Sequence, residues 1–134
     1  MHFREAVMAY LLAQPGLTAL VASRIHYHQL PQGTILPAVV ILGVSDVKIH
    51  DLKGQLKVEQ PVLQFSAQAS TQATARAVAE QLKTALCDYH GTMSGITVQK
   101  IQLDSEWESL DVTPDGIVQV ETVDLEFGIT YVKE

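Results

Sequence analysis

The 134-residue chain is short of several things that would point to a familiar chemistry. It has one cysteine, Cys87, which excludes an internal disulfide and suits a reducing compartment. Cys87 directly follows Leu86 at a helix end and reads as a small packed or half-exposed side chain. No apolar run approaches the ~20 residues of a membrane-spanning helix. The opening Met1-His2-Phe3-Arg4-Glu5 lacks the basic-then-apolar layout of a secretory signal. Charged residues make up only 18% against 47% hydrophobic ones, so disorder is not expected. Bases are nearly missing from the C-terminal part. From Asp104 onward there are nine acids and one base, Lys133, a net charge of -8, whereas residues 1–103 carry +2. A free nucleic-acid binder would show a basic stripe, and this chain shows the reverse. Such polarisation fits either a module that meets a complementary surface or an ordinary solvated acidic face.

What is present is a strand followed by a helix. In Val62–Ala69, Leu63, Phe65, Ala67 and Ala69 alternate with Gln64, Ser66 and Gln68, the period of a strand with one buried face. After Ser70 and Thr71, either of which can cap, Ala75, Val78, Ala79, Leu82 and Leu86 form a helical stripe that needs a sheet to cover it. The spacing predicts a main helix over about 71–87. A first helix is expected over Phe3–Ala13, stopped by Gln14-Pro15-Gly16. Leu17–Val21 is too short for an independent helix and reads as a turn or single coil. Ile25–His28 reads as a short strand or extended edge, and Pro31-Gln32-Gly33 as a loop.

Pro37–Val44 is continuously apolar and β-branched, which implies a strand covered on both faces. Residues 46–60 alternate around Asp51-Leu52-Lys53-Gly54 and predict a hairpin projecting beyond the sheet, bearing Lys48, Lys53 and Lys57. Residues 90–95 read as a loop. A strand is expected from Ile96 to Glu106, with an irregularity near Gln99-Lys100. Thr113-Pro114-Asp115-Gly116 is a turn signal, and a last strand follows over Ile117–Val132. Its apolar set shifts from even to odd positions, which predicts a β-bulge near Glu121-Thr122. The whole, 1–134, reads as one α+β domain: a mostly antiparallel sheet, a main helix on it, an N-terminal helix and a projecting hairpin.

The search for chemistry ends without an enzyme signature. His26 and His28 stand two apart, but zinc needs three or four ligands and no third accompanies them. Glu106 and Glu108 would share a strand face, yet nothing predicts a cleft that separates their pKa values. Ser105 and Ser109 lack a Gly-x-Ser-x-Gly elbow. Cys87 and His90 lack a third orienting group, and Gly91–Gly95 lacks the lysine of a phosphate loop. Trp107, between two glutamates, is either an exposed anchor for a partner or packed on the sheet edge.

The layout resembles the tail-completion proteins of siphophages and prophages, also described as tail terminators or tail-to-head joining proteins. The residues that carry the likeness are Ala13–Val21 with Arg24-Ile25, Leu30-Pro31-Gln32-Gly33 and Leu36-Pro37-Ala38-Val39-Val40. Ala75-Arg76-Ala77-Val78-Ala79, Leu82–Leu86, Gly91-Thr92 and the paired C-terminal strands complete it. It spans essentially the full length, and the order of these loose motifs is what is distinctive. The resemblance implies a non-enzymatic virion protein without cofactor or metal, assembled in the host cytoplasm. It implies a homo-oligomeric ring, hexameric, at the head-proximal end of the tail, touching the tail tube protein and the head–tail connector. A head-side connector or neck adaptor is the alternative station, and a small ligand-binding module the alternative class. A ring needs two complementary patches on each subunit. Lys48, Lys53 and Lys57 of one subunit are expected to face acids such as Glu106 or Glu108 of the next, with Trp107 beside them. A second role for the hairpin is non-specific contact with passing DNA.

Overall fold

The computed structural model describes residues 3–28, 35–51, 54–112 and 119–132; for 46–51, 54–57, 111–112 and 119 the description is of backbone only. In chain order the elements are α1 (Phe3–Leu12), α2 (Pro15–Val21), β1 (Ile25–Tyr27), β2 (Ala38–Asp51), β3 (Gly54–Ala69), α3 (Gln72–Leu86), β4 (Gly91–Met93), β5 (Ile96–Val112) and β6 (Gln119–Val132). The six strands form one sheet in the order β1-β2-β3-β6-β5-β4. The short β1 joins β2 in parallel, and every other neighbour is antiparallel. This is the expected α+β architecture.

The helices cover one face. The predicted stripe of α3 (Ala75, Val78, Ala79, Leu82 and Leu86) is fully buried. Opposite it lie Phe65 of β3, Leu125 and Phe127 of β6, and Ile101 of β5, in one continuous core. The Phe65 and Phe127 rings meet edge to face at 5.5 Å, a favoured aromatic geometry. Two alanines in the stripe bring the helix axis close to the sheet, because they add little bulk between backbone and backbone. Thr71 is the cap, its hydroxyl accepting from the Thr74 amide at 3.3 Å. On α1, Phe3, Ala6, Val7 and Leu11 are buried, and Tyr10 donates to the Ala85 carbonyl at 2.6 Å, tying α1 to the end of α3.

Several expectations are corrected. Leu17–Val21 belongs to a true second helix, because Pro15 is tolerated in a first turn whose amides have no helical acceptor anyway. The Gln14 carbonyl then accepts from the Thr18 amide and hydroxyl, and Leu17 and Val21 are buried. Residues 90–95 are a tight hairpin: Met93 pairs with Ile96 across Ser94 and Gly95, both at positive φ, as a two-residue hairpin turn requires. The strand placed at Ile96–Glu106 runs on to Val112. No bulge interrupts β6 at Glu121-Thr122, since Leu110↔Glu121, Ser109↔Thr122 and Glu108↔Val123 are consecutive pairs. The apolar shift there reflects Val120 standing on the opposite face from Val123. The irregularity expected near Gln99-Lys100 is present, with a second one at Leu103/Ser105.

The double coverage expected of Pro37–Val44 holds for Ala38–Ile41, which are buried, and ends there: Leu42 is half-buried and Gly43 and Val44 are exposed. Residues 46–60 are the outer parts of β2 and β3, which pair as far as Asp51↔Gly54. β6 reaches only Val58↔Val132, so the hairpin extends past the described sheet. Pro61 sits inside β3. It pairs with Asp46 of β2, while the ladder to β6 steps from Glu59↔Tyr131 to Val62↔Gly128, consistent with a residue that has no amide proton to give.

Two substitutions test this account. Leu82→Ala is expected to cost about 2–5 kcal/mol by opening a cavity under α3. Thr71→Ala is expected to cost about 1 kcal/mol through loss of the cap. Urea unfolding followed by circular dichroism measures both.

Candidate assembly surface

Glu106, Trp107 and Glu108 are consecutive on β5, so they alternate between faces. Glu106 and Glu108 lie opposite Leu125 and Val123, on the face that carries α3. Arg76 Nη2 meets Glu108 Oε1 at 3.1 Å, and Gln72 Nε2 donates to Glu108 Oε2 at 2.8 Å. Lys83 Nζ bridges Glu106 at 2.8 Å and Glu80 at 3.0 Å. The hydrogen bond to Glu106 raises the Lys83 pKa above the usual lysine value; partial burial opposes it and Glu80 adds to it. These pairs fasten the solvent edge of α3 to β5. The Arg76 pair is well exposed, so water and salt screen it. Both glutamates therefore have partners within their own subunit.

Trp107 points to the other face, opposite Asp124, and is 41% exposed. Asp124 is buried there, accepting from Ser66 Oγ at 2.6 Å and Gln64 Nε2 at 3.2 Å. Glu59, also buried, accepts from the Tyr131 hydroxyl, whose ring stacks on Phe3. Neither buried carboxylate was singled out from the sequence. Their partners are cross-strand neighbours far apart in the chain, visible only once the register is known.

Lys53 lies outside the described residues, and Lys48 and Lys57 are placed by backbone alone. The row of Lys48 crosses the sheet through Glu59 and Tyr131 to Val98. The row of Glu106 crosses through Leu125 and Phe65 to Ile41. Within one chain the lysine hairpin and the acidic pair thus sit near opposite ends of the sheet, separated by about 25 Å of strand rise.

The chemical candidates are not brought together. His26 is on β1, while His28 follows it at positive φ, its amide donating to the Ile41 carbonyl at 2.7 Å. Among the described residues no group of three metal-binding side chains occurs. Burial, with Asp88 adding, pushes the Cys87 thiol pKa up, away from a reactive thiolate. No hydrogen bond joins Cys87 to His90 among the described residues. A shallow open depression on the face away from the helices is lined by Gln60, Pro61, Lys100, Gln102, Asp104 and Gly128. Val62 and Ile129 also line it, and it is only half enclosed, unlike the enclosed pocket that usually holds a small molecule.

The chain was compared with known families and structures. A comparison with curated proteins found no match. Among solved structures, a chain in the virion of a native gene transfer agent particle shares the fold at a TM-score of 0.67 and 22% identity, over 97% of this chain and 94% of that one. A second solved structure shares it at 0.58 and 13% identity, over 100% and 98%. The family model of the tail completion protein gp17 matches residues 5–130. The chain therefore belongs to the tail completion protein gp17 family, whose role is a structural one in the phage tail.

Proposed function

We propose that this protein caps the head-proximal end of the tail tube as a ring, hexameric, which stops tube polymerisation and forms the surface where the head connector docks. Membership of the tail completion family over residues 5–130 is the observation that carries this reading. The role is non-enzymatic: the residues that first invited chemistry serve as polar edge groups, a half-buried thiol and ion pairs that hold α3. Its partners are copies of itself, the tail tube protein and the head–tail connector.

The two ends of the sheet differ in character, as a component set between two unlike neighbours requires. One end is the hairpin, where Lys48, Lys53 and Lys57 are mixed with Asp46, Asp51 and Glu59; the other is the acidic β5–β6 end with Glu106, Glu108 and Asp111. In this proposal the lysine hairpin of one subunit meets an acidic surface of an adjacent ring component. A meeting with Glu106 or Glu108 of a neighbour needs subunits staggered along the strand direction. A hairpin turned to the channel would instead meet DNA phosphates without reading sequence.

Deletion of the gene, with the particles examined by electron microscopy, tests the reading. Overlong tubes without heads are expected. Tails of normal length beside filled heads would move the protein to the neck, and intact infectious particles would contradict a tail role. The double reversal Lys53→Glu with Lys57→Glu is expected to abolish tail completion while leaving the circular dichroism spectrum unchanged. Normal infectious titre from that variant would remove the hairpin from the interface.

A further inference from the structure

Among the described residues both long sides of the sheet are open over much of their length. On one side β1 covers β2 only at Val39–Ile41, and among the described residues nothing pairs with the outer edge of β2 over 42–51. On the other, β4 covers β5 only at Ile96–Val98, and nothing described pairs with its outer edge over 99–112. Unpaired edges of such length are a template for another strand, and monomeric proteins keep them short, charged or covered. Here the large hydrophobic side chains left exposed include Val44, at 52%, on one edge strand, and Trp107 and Leu110, at 41% and 50%, on the other.

Two features match the two edges to each other. First is polarity: β2, β3, β6 and β5 are successively antiparallel, so β5 runs opposite to β2. A copy repeated by rotation about an axis along the strands brings its β2 antiparallel to β5 of the first, with α3 on the same side of the sheet in both. Second is curvature. β2 carries an extra residue, Val44, between Gly43↔Leu63 and Ser45↔Val62, and β5 carries one, Asp104, between Leu103↔Phe127 and Ser105↔Glu126, in the same row of the sheet. Bulges bend and twist a strand, so the two edges bend at the same height.

We infer that the outer edge of β5 (99–112) pairs antiparallel with the outer edge of β2 (42–51) of a second copy, continuing the sheet from subunit to subunit. The contact is heterologous, two different patches meeting, which is the type that closes rings. Val44, Trp107 and Leu110 are covered by it. This pairing deepens the ring reading above and rests on it. The deletion phenotype tests the ring and cross-linking tests the edges, so the two fail separately.

The test places cysteines on both edges in a Cys87→Ser background and reads them in assembled tails. Ser45 pairs with Val62, whose β6 partner Gly128 pairs with Gln102, so Ser45 and Gln102 share a face, and Ser105, Trp107 and Ser109 continue it. Ser45→Cys is combined in turn with Gln102→Cys, Ser105→Cys, Trp107→Cys and Ser109→Cys, covering different staggers. Mild oxidation followed by a non-reducing gel is expected to give a ladder of oligomers from at least one pair and only monomer from each single-cysteine chain. No ladder from any pair, in tails of normal length, would overturn the pairing. Dimers from a single cysteine on β5 would overturn it as well, by showing a two-fold contact between like edges.

Discussion

Burial of the α3 stripe against β3 and β6 is the interaction on which the rest of the structure depends. Five apolar side chains in register with the helical period lose their water only if a flat apolar surface lies beneath them. The β3–β6 ladder supplies that surface through Leu63, Phe65, Ala67, Val123, Leu125 and Phe127. This ladder keeps one register along its length, whereas register shifts interrupt the β2–β3 and β5–β6 ladders on either side of it. The centre is therefore held straight by packing, and the margins are free to bend. At the margins α1 is tied down by Tyr10, and β5 by Lys83 and Arg76 reaching across from α3.

That division of labour fits a protein whose work lies at its edges. The core uses one face of the sheet. The strands, at 14 to 17 residues in β2, β3, β5 and β6, are longer than the ordinary strand of about 5–6 residues and run past what the helices cover. Extended hairpins at opposite ends and, among the described residues, unpaired strand edges along both sides provide surface without needing a second core.

The sequence made the centre legible and the margins less so. Ala75, Val78, Ala79, Leu82 and Leu86, and the alternation from Leu63 to Ala69, declare their partners because one period persists long enough to exclude the other. Residues 90–95 looked like a loop because a three-residue strand has no period to detect. Residues 107–112 were left off β5 because an edge strand that needs no second covered face can carry glutamate, serine and leucine in any order. The even-to-odd shift before Val123 imitated a bulge, although only the covering of that face changes there. On the surface, Glu106, Trp107 and Glu108 stand out in the sequence as two acids around its one tryptophan. The attachment of the two glutamates to Arg76 and Lys83 depends on where α3 crosses β5, which no local pattern encodes. The opposite placement of the lysine hairpin likewise follows from strand order, and strand order is a property of the whole chain.

The most direct measurement is a cryo-electron-microscopy map of the assembled particle at a resolution that traces strands. The account predicts copies of this chain arranged about the tail axis at the head-proximal end of the tube, with β5 of each alongside β2 of the next. Copies found elsewhere in the particle, or a ring in which both edges face solvent, would contradict it.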